Sequence, residues 1–334
     1  MSYALSLLDK SPILDGETAG DALQRTIALA QAAERLGYRR FWLAEHHGFP
    51  GLASSAPEIL VAHLIARTRR IRVGSGGVLL QHYSPYKVAE TFNLLATLAP
   101  GRVDLGIGKA PGGLPLSTKA LRVQHAPEHA YAFEALLAEL DSFLSGSRDA
   151  DDPLAGAQAL PKPPAPAERF LLGASPDSAR LAVERGWSFV FAGQLNGDPK
   201  AIEASFEAHA KAGAQAPPLL ALAALAAASA EEARALTEPL RVIRLTLDNG
   251  QSVNLGSEEQ AVEFARQAGA ASYSTEVRRP SILAGSADEV RRELDALSAR
   301  FGIAEFVIDT PAAATAQRLA SITLLAGDAP ALAA

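Results

Sequence analysis

The sequence predicts a closed (β/α)8 TIM barrel with inserted segments over the mouth at the carboxyl ends of its strands, and three observations carry that prediction. Short apolar runs of strand character alternate with amphipathic helical stretches, the pattern of a parallel α/β sheet. Eight such units are read along the chain, the number that closes a barrel. A length of 334 residues suits one barrel of about 250 residues with insertions, and so a single domain over residues 1–334.

The strands are expected at residues 4–8, 40–45, 71–79, 102–108, 170–174, 188–192, 219–226 and 305–309. The first helix, over residues 21–36, sets Leu23, Ile27, Ala30 and Leu36 near one face, and Gly37 follows as its C-cap. The second starts after Ser55-Ala56-Pro57-Glu58, where a cap residue, an early proline and an acid in the first turn coincide. Strand three, IRVGSGGVLL, carries three glycines in four positions, which ordinarily weakens a strand. Strand four follows the turn at Pro100-Gly101, and strand five leads through Gly173-Ala174-Ser175 into a helix near Pro176. The alanine-rich span 221–235 reads as a strand and a helix of small residues. Residues 149–168, rich in Pro, Ala and Asp, read as a surface excursion. Residues 229–280 contain several helical pieces and a polar connection at 248–258, and are the candidate lid. Ser286 with Glu289 fits a plain capping box and is left structural.

Composition bounds the function. Apolar residues make up 48% and charged residues 20%, ordinary for a globular enzyme, and no run approaches the roughly 18 apolar residues of a membrane span. The first residues lack the pattern of a signal peptide and read as strand one. With no cysteine there is no disulfide, iron–sulfur cluster or thiol nucleophile. A net charge of −6 without a basic tract argues against nucleic acid as the main partner. The expectation is a soluble, cytoplasmic protein acting on small molecules.

Residues 39–50, RRFWLAEHHGFP, end a buried strand in one acid and two adjacent histidines, where barrel enzymes keep their chemistry. Glu45, His46 and His47 could hold a metal, move protons or hydrogen-bond a cofactor, or form a solvated, salt-bridged loop. Gly76 and Gly77 remove side chains where a flat ring could approach the backbone, or simply permit a bend. Lys109, in the glycine-rich exit from strand four, suits a phosphate or carboxylate, or is merely solvated. Ser175 and Ser178, at a helix start, offer donors to an anion, with plain N-capping as the alternative. The zincin helical pairing is missing, and His63, His82, His125 and His129 form no recognisable ligand motif, so no metal is expected. Neither a G-x-S-x-G elbow nor a Walker loop is present, and the glycines of strand three do not complete a dinucleotide fingerprint.

Taken in order, FWLAEHHGFP, IRVGSGGVLL, YSPYKVAETFNLLATLAPGRVDLGIGKAPG and FLLGASPDSARLAVERG resemble the luciferase-like monooxygenase family of flavin-dependent barrel proteins. The likeness covers most of residues 1–115 and 170–195, and elsewhere is mainly one of architecture. It implies reduced FMN as cofactor, or in a separate branch the deazaflavin F420. For the FMN oxygenases it implies a partner flavin reductase, and it suggests a homodimer packed through barrel helices. His46 takes the place of the family's active-site histidine near the flavin ring. Gly76 and Gly77 match the positions behind that ring, where relatives often hold a strained, sometimes non-proline cis, peptide. Lys109 stands where the bacterial luciferase α subunit has a phosphate-contacting arginine, and Ser175 and Ser178 match its phosphate-binding hydroxyls. Ala174 replaces a glutamate of that subunit and Gly108 a reactive cysteine, so cofactor affinity is open and light emission is not implied.

The resemblance implies a monooxygenase that inserts one atom of O2 into a small, apolar organic substrate by way of a peroxyflavin. His46, expected to titrate near neutrality, would exchange the proton, with Glu45 or His47 setting its tautomer. The alternatives are an F420-dependent dehydrogenase on the same barrel and a flavin-binding protein without turnover.

Overall fold

Parallel strands follow one another around a ring: β1 (Ala4–Asp9), β2 (Arg40–Leu43), β3 (Arg72–Ser75) with its short continuation β4 (Val78–Leu79), β5 (Val103–Gly108), β6 (Glu168–Gly173), β7 (Ser188–Ala192) and β8 (Leu219–Ala227). The chain then leaves to form β9 (Val242–Leu247), β10 (Ser252–Leu255) and β11 (Tyr273–Arg278). It returns as β12 (Ile282–Ser286) beside the second half of β8, and β13 (Glu305–Asp309) pairs with both β8 and β1 to close the barrel. In this computed structural model residues 3–122, 132–148, 151–195, 197–311 and 314–327 are described. The helices are α1 (Ala19–Arg35), α2 (Pro57–Arg67), α3 (Pro85–Leu98), α4 (Pro115–Leu121), α5 (Phe133–Ser145), α6 (Pro176–Glu184), α7 (Pro199–Lys211), α8 (Ala230–Thr237), α9 (Glu258–Ala268), α10 (Ala287–Phe301) and α11 (Thr315–Ala326).

Each of the eight expected barrel strands is present, and all but β3, whose sequence is RVGS, carry apolar side chains for both faces of a parallel strand. Leu8, Trp42, Phe170, Leu172, Val190, Leu219 and Val307 fill the inside of the barrel, while a larger cluster lies between the strands and the helices. At the amino ends of the strands the floor is charged. Buried Arg40 meets Glu305 at 2.7 Å, Glu168 at 2.8 Å and Asp104 at 3.1 Å, and Arg72 meets Asp104 at 2.6 Å. Every charge there is paired, which offsets the cost of removing it from water.

Local signals hold in most places. Gly37, at φ 79°, follows α1, and Ser286 and Glu289 form a reciprocal capping box on α10. The second helix departs from expectation in one detail: its N-cap is Ala56, which makes no side-chain cap bond, and Pro57 opens the first turn. Strand three is shorter than expected and is broken at Gly76-Gly77, whose peptide bond is cis. Residues 151–167 hold neither helix nor strand, and lie against α3 through Asn93 Nδ2 to Ala159 O and Tyr86 OH to Gln158 O, both 2.9 Å.

The region 229–280 is built differently from the helical pieces expected. Its centre is a three-stranded antiparallel sheet, ordered β10-β9-β11, with α9 packed on it. The connection read as polar contains the β9–β10 hairpin, turning at Asn249-Gly250 with Gly250 at φ 83°. Ile243, Leu245 and Leu247 alternate inward and meet Phe264 of α9, Leu114 and Phe49, which seats the sheet on loops of the barrel mouth.

Candidate functional site

Glu45, His46 and His47 leave β2 together, yet they face different partners. The carboxylate of Glu45, 3% exposed, accepts from the Leu79 N–H at 3.0 Å and the Tyr83 hydroxyl at 2.8 Å, and lies 2.7 Å from His47 Nε2. Burial and this carboxylate push the Tyr83 pKa up, so the phenol stays protonated and donates. The His47 backbone is held by the exit from β5: its N–H donates to Gly112 O at 2.8 Å, and its carbonyl accepts from Leu114 N–H at 3.2 Å. Glu45 and His47 thus tie the ends of β2, β4 and β5 together. They bond to each other, not to His46.

His46 turns into a cavity of about 540 Å³ at the mouth. Its Nδ1 is enclosed and, among the described residues, has no hydrogen-bond partner. The near-neutral titration expected of an imidazole does not survive these surroundings. Burial first, and the positive charge of Lys10 second, lower its pKa from 6.5 to about 4, although Asp309 pulls the other way. His46 is therefore uncharged at neutral pH. Lys10 and Asp309 follow or end the neighbouring strands β1 and β13 and are paired at 2.5 Å. The opposite wall comes from Gly193 and Leu195 after β7, and from Val242, Leu255, Arg278 and Arg279 of the inserted sheet and its exit. Lys10, Arg278 and Arg279 had no place in the sequence reading. Lys10 alone had a signal, since it follows the first strand directly, as Lys109 follows strand four.

The other expected residues lie elsewhere on the same rim. Lys109 follows β5, is mostly exposed, and pairs with Glu134 at 3.2 Å. Ala174 follows the adjacent β6, and Ser175 caps α6 by accepting from Ser178 N–H at 3.3 Å, the two hydroxyls 3.1 Å apart. None of these four lines the cavity beside His46. Gly76 and Gly77 are buried, and packing already accounts for their missing side chains. A Cβ on Gly76 would lie 2.7 Å from Leu8 Cδ1, and one on Gly77 would lie 2.7 Å from Gly106 O. His125 and His129 fall outside the described residues.

Comparison with known proteins bears on the chain as a whole. A family model described as luciferase-like monooxygenase matches residues 2–305. The chain belongs to the luciferase-like monooxygenase family. Membership places it among oxidoreductases. The chain is 44% identical over 326 residues to the N-acetyl-S-alkylcysteine monooxygenase of Bacillus subtilis, covering 96% of each chain. Apo-MsnO8 superposes with a TM-score of 0.75 at 31% identity over 97% of both chains. The oxygenating constituent of 3,6-diketocamphane monooxygenase from Pseudomonas putida, solved with FMN, shares the fold at a TM-score of 0.69, with 18% identity and 97% of both chains covered. Among the described residues of this luciferase-like barrel, no helix is long and apolar enough to cross a membrane.

Proposed function

We propose that the chain is an FMN-dependent monooxygenase that receives reduced flavin from a partner reductase and, with O2, oxygenates a small organic substrate. The observation that carries this reading is the enclosed, neutral imidazole of His46 facing a cavity at the mouth of a luciferase-like barrel. Reduced FMN, when bound, supplies the two electrons that activate O2. The residues present fit such a cofactor. Ser175 and Ser178 offer hydroxyls at the amino end of α6, and Lys109 needs only to exchange an exposed pairing with Glu134 to serve a phosphate. On this reading Gly76, Gly77 and Ala174 would stand on the flavin's side of the mouth, as the family resemblance implies. At neutral pH His46 accepts a hydrogen bond or a proton through its unprotonated nitrogen, and the inserted sheet helps keep water from the cavity as a lid. Glu45 and His47 support the site by holding three strand ends in place. A thioether of the kind named for the Bacillus subtilis relative is the first substrate to try. Exposed Ile59, Leu94 and Leu98 on α2 and α3 support a homodimer through barrel helices.

The test is an anaerobic spectral titration with reduced FMN and, separately, reduced F420, followed by oxygen uptake with a thioether panel. Tight FMN binding with substrate-dependent uptake is expected. Tight F420 binding with weak FMN binding would replace the reading by a dehydrogenase on the same barrel, and uptake indifferent to every substrate would replace it by a flavin-binding protein. Exchanging Lys109 and Ser175 for Ala should weaken FMN far more than riboflavin; equal losses would move the phosphate elsewhere.

A further inference from the structure

We propose that the cavity beside His46 selects a small organic monoanion with an apolar tail, and that Arg279 binds its carboxylate. This rests on reading that cavity as the substrate site. Charge bookkeeping singles out the residue. Of the cations on the wall, Lys10 is neutralised by Asp309 at 2.5 Å and Arg278 by Glu276 at 2.6 Å. Asp198, the acid on the same wall, is engaged as the N-cap of α7, accepting from Lys200 N–H at 3.0 Å. Arg279 has no acidic partner among the described residues. An incoming carboxylate would displace Glu276 or Asp309 to reach the other two cations, whereas at Arg279 it displaces only water.

The geometry of the chain supports the choice. Arg279 stands between the end of β11 and Pro280, on the segment that returns the inserted sheet to β12, so its backbone is held at both sides. A planar guanidinium meets a carboxylate in two parallel hydrogen bonds, which fixes orientation as well as charge. Phe49, Leu52, Leu195, Val242 and Leu255 give the wall its apolar part, and the uncharged polar side chains of Gln194, Asn254, Gln260 and Ser281 complete it. One uncompensated positive charge matches one negative charge, and a volume of about 540 Å³ suits a molecule of metabolite size. The inserted sheet therefore reads the head of the substrate, while the barrel presents the tail to His46.

The experiment is calorimetric binding of two matched pairs, hexanoate with hexanamide and N-acetyl-S-butylcysteine with its carboxamide, to the wild-type chain with and without FMN. The acid of each pair should bind at least tenfold tighter than the amide, with a preference that shrinks as salt rises. Arg279→Ala should abolish the preference, Arg279→Lys should keep part of it, and Arg278→Ala should leave it in place. A preference that persists in Arg279→Ala, its absence in the wild type, or no binding of either acid would overturn the proposal. FMN titration of the same samples reads the cofactor separately. Failure to bind FMN with the acid preference intact would defeat the flavin reading and leave the anion subsite standing.

Discussion

Replacing His46 by glutamine should change how the stability of the protein depends on pH, by an amount that follows from the burial of the imidazole. In the folded chain His46 titrates at about 4, against an ordinary value of 6.5 that the unfolded chain restores. Between these values the unfolded chain binds a proton that the folded chain refuses. The contribution of His46 is thus flat above pH 6.5, falls as pH drops through the window, and levels off below about 4. A gap of about 2.5 pH units, from 6.5 to about 4, at about 1.4 kcal/mol each, amounts to roughly 3 kcal/mol lost between pH 7 and pH 4. Urea unfolding of the wild type and His46→Gln at pH 7, 5.5 and 4 isolates the effect, since other titrating groups are common to both. The stability difference between the two proteins should shift by roughly 3 kcal/mol in favour of the variant as pH falls. Parallel profiles, or an NMR titration of the His46 ring centred near 6.5, would refute the argument that burial and Lys10 keep this imidazole neutral.

Further outcomes follow from other contacts. His46→Ala should slow oxygenation while leaving FMN affinity unchanged; turnover equal to wild type on a true substrate would remove the imidazole from the reaction. Glu45→Gln replaces one of two acceptor oxygens by a donor facing the Leu79 N–H, Tyr83 and His47, and should cost about 2–4 kcal/mol in chemical denaturation. Gly77→Ala would press a methyl group to 2.7 Å from Gly106 O in an unyielding backbone, and should lower Tm by several degrees or prevent folding. Asp104→Ala strips a buried acceptor from Arg40, Arg72 and the Trp42 indole at once, and should cost about 3–5 kcal/mol; a loss under 1 kcal/mol would show the barrel floor to be wetter than its burial indicates.

Much of the barrel is legible in the chain because its signals are local. Runs such as FWL and FVFA need to be buried on both faces, Gly37, Ser175 and Ser286 mark helix ends through bonds that span only a few residues, and Pro57 marks one through its fixed φ. The inserted sheet has a local signal too: IRLTL alternates, and Asn249-Gly250 before SVNL is a strong hairpin signal, although helical patterns flank it on both sides. The site was legible only as a set of candidates. That His46 belonged at a strand end could be read from residues 39–50; that it is neutral could not, because its pKa depends on enclosure and on Lys10, 36 positions earlier.

The order of strands and helices, the turns between them and the residues placed at strand ends were thus decided by the sequence, through periodicity and short-range hydrogen bonding. Which of those ends share a cavity was decided by closure of the ring. Closure sets β13 beside β1 and brings Asp309 to Lys10, and the seating of the inserted sheet on Phe49 and Leu114 goes with Arg279 and His46 lining one cavity. Such contacts join segments hundreds of residues apart, and only the packed chain assigns them partners, charge and access to water.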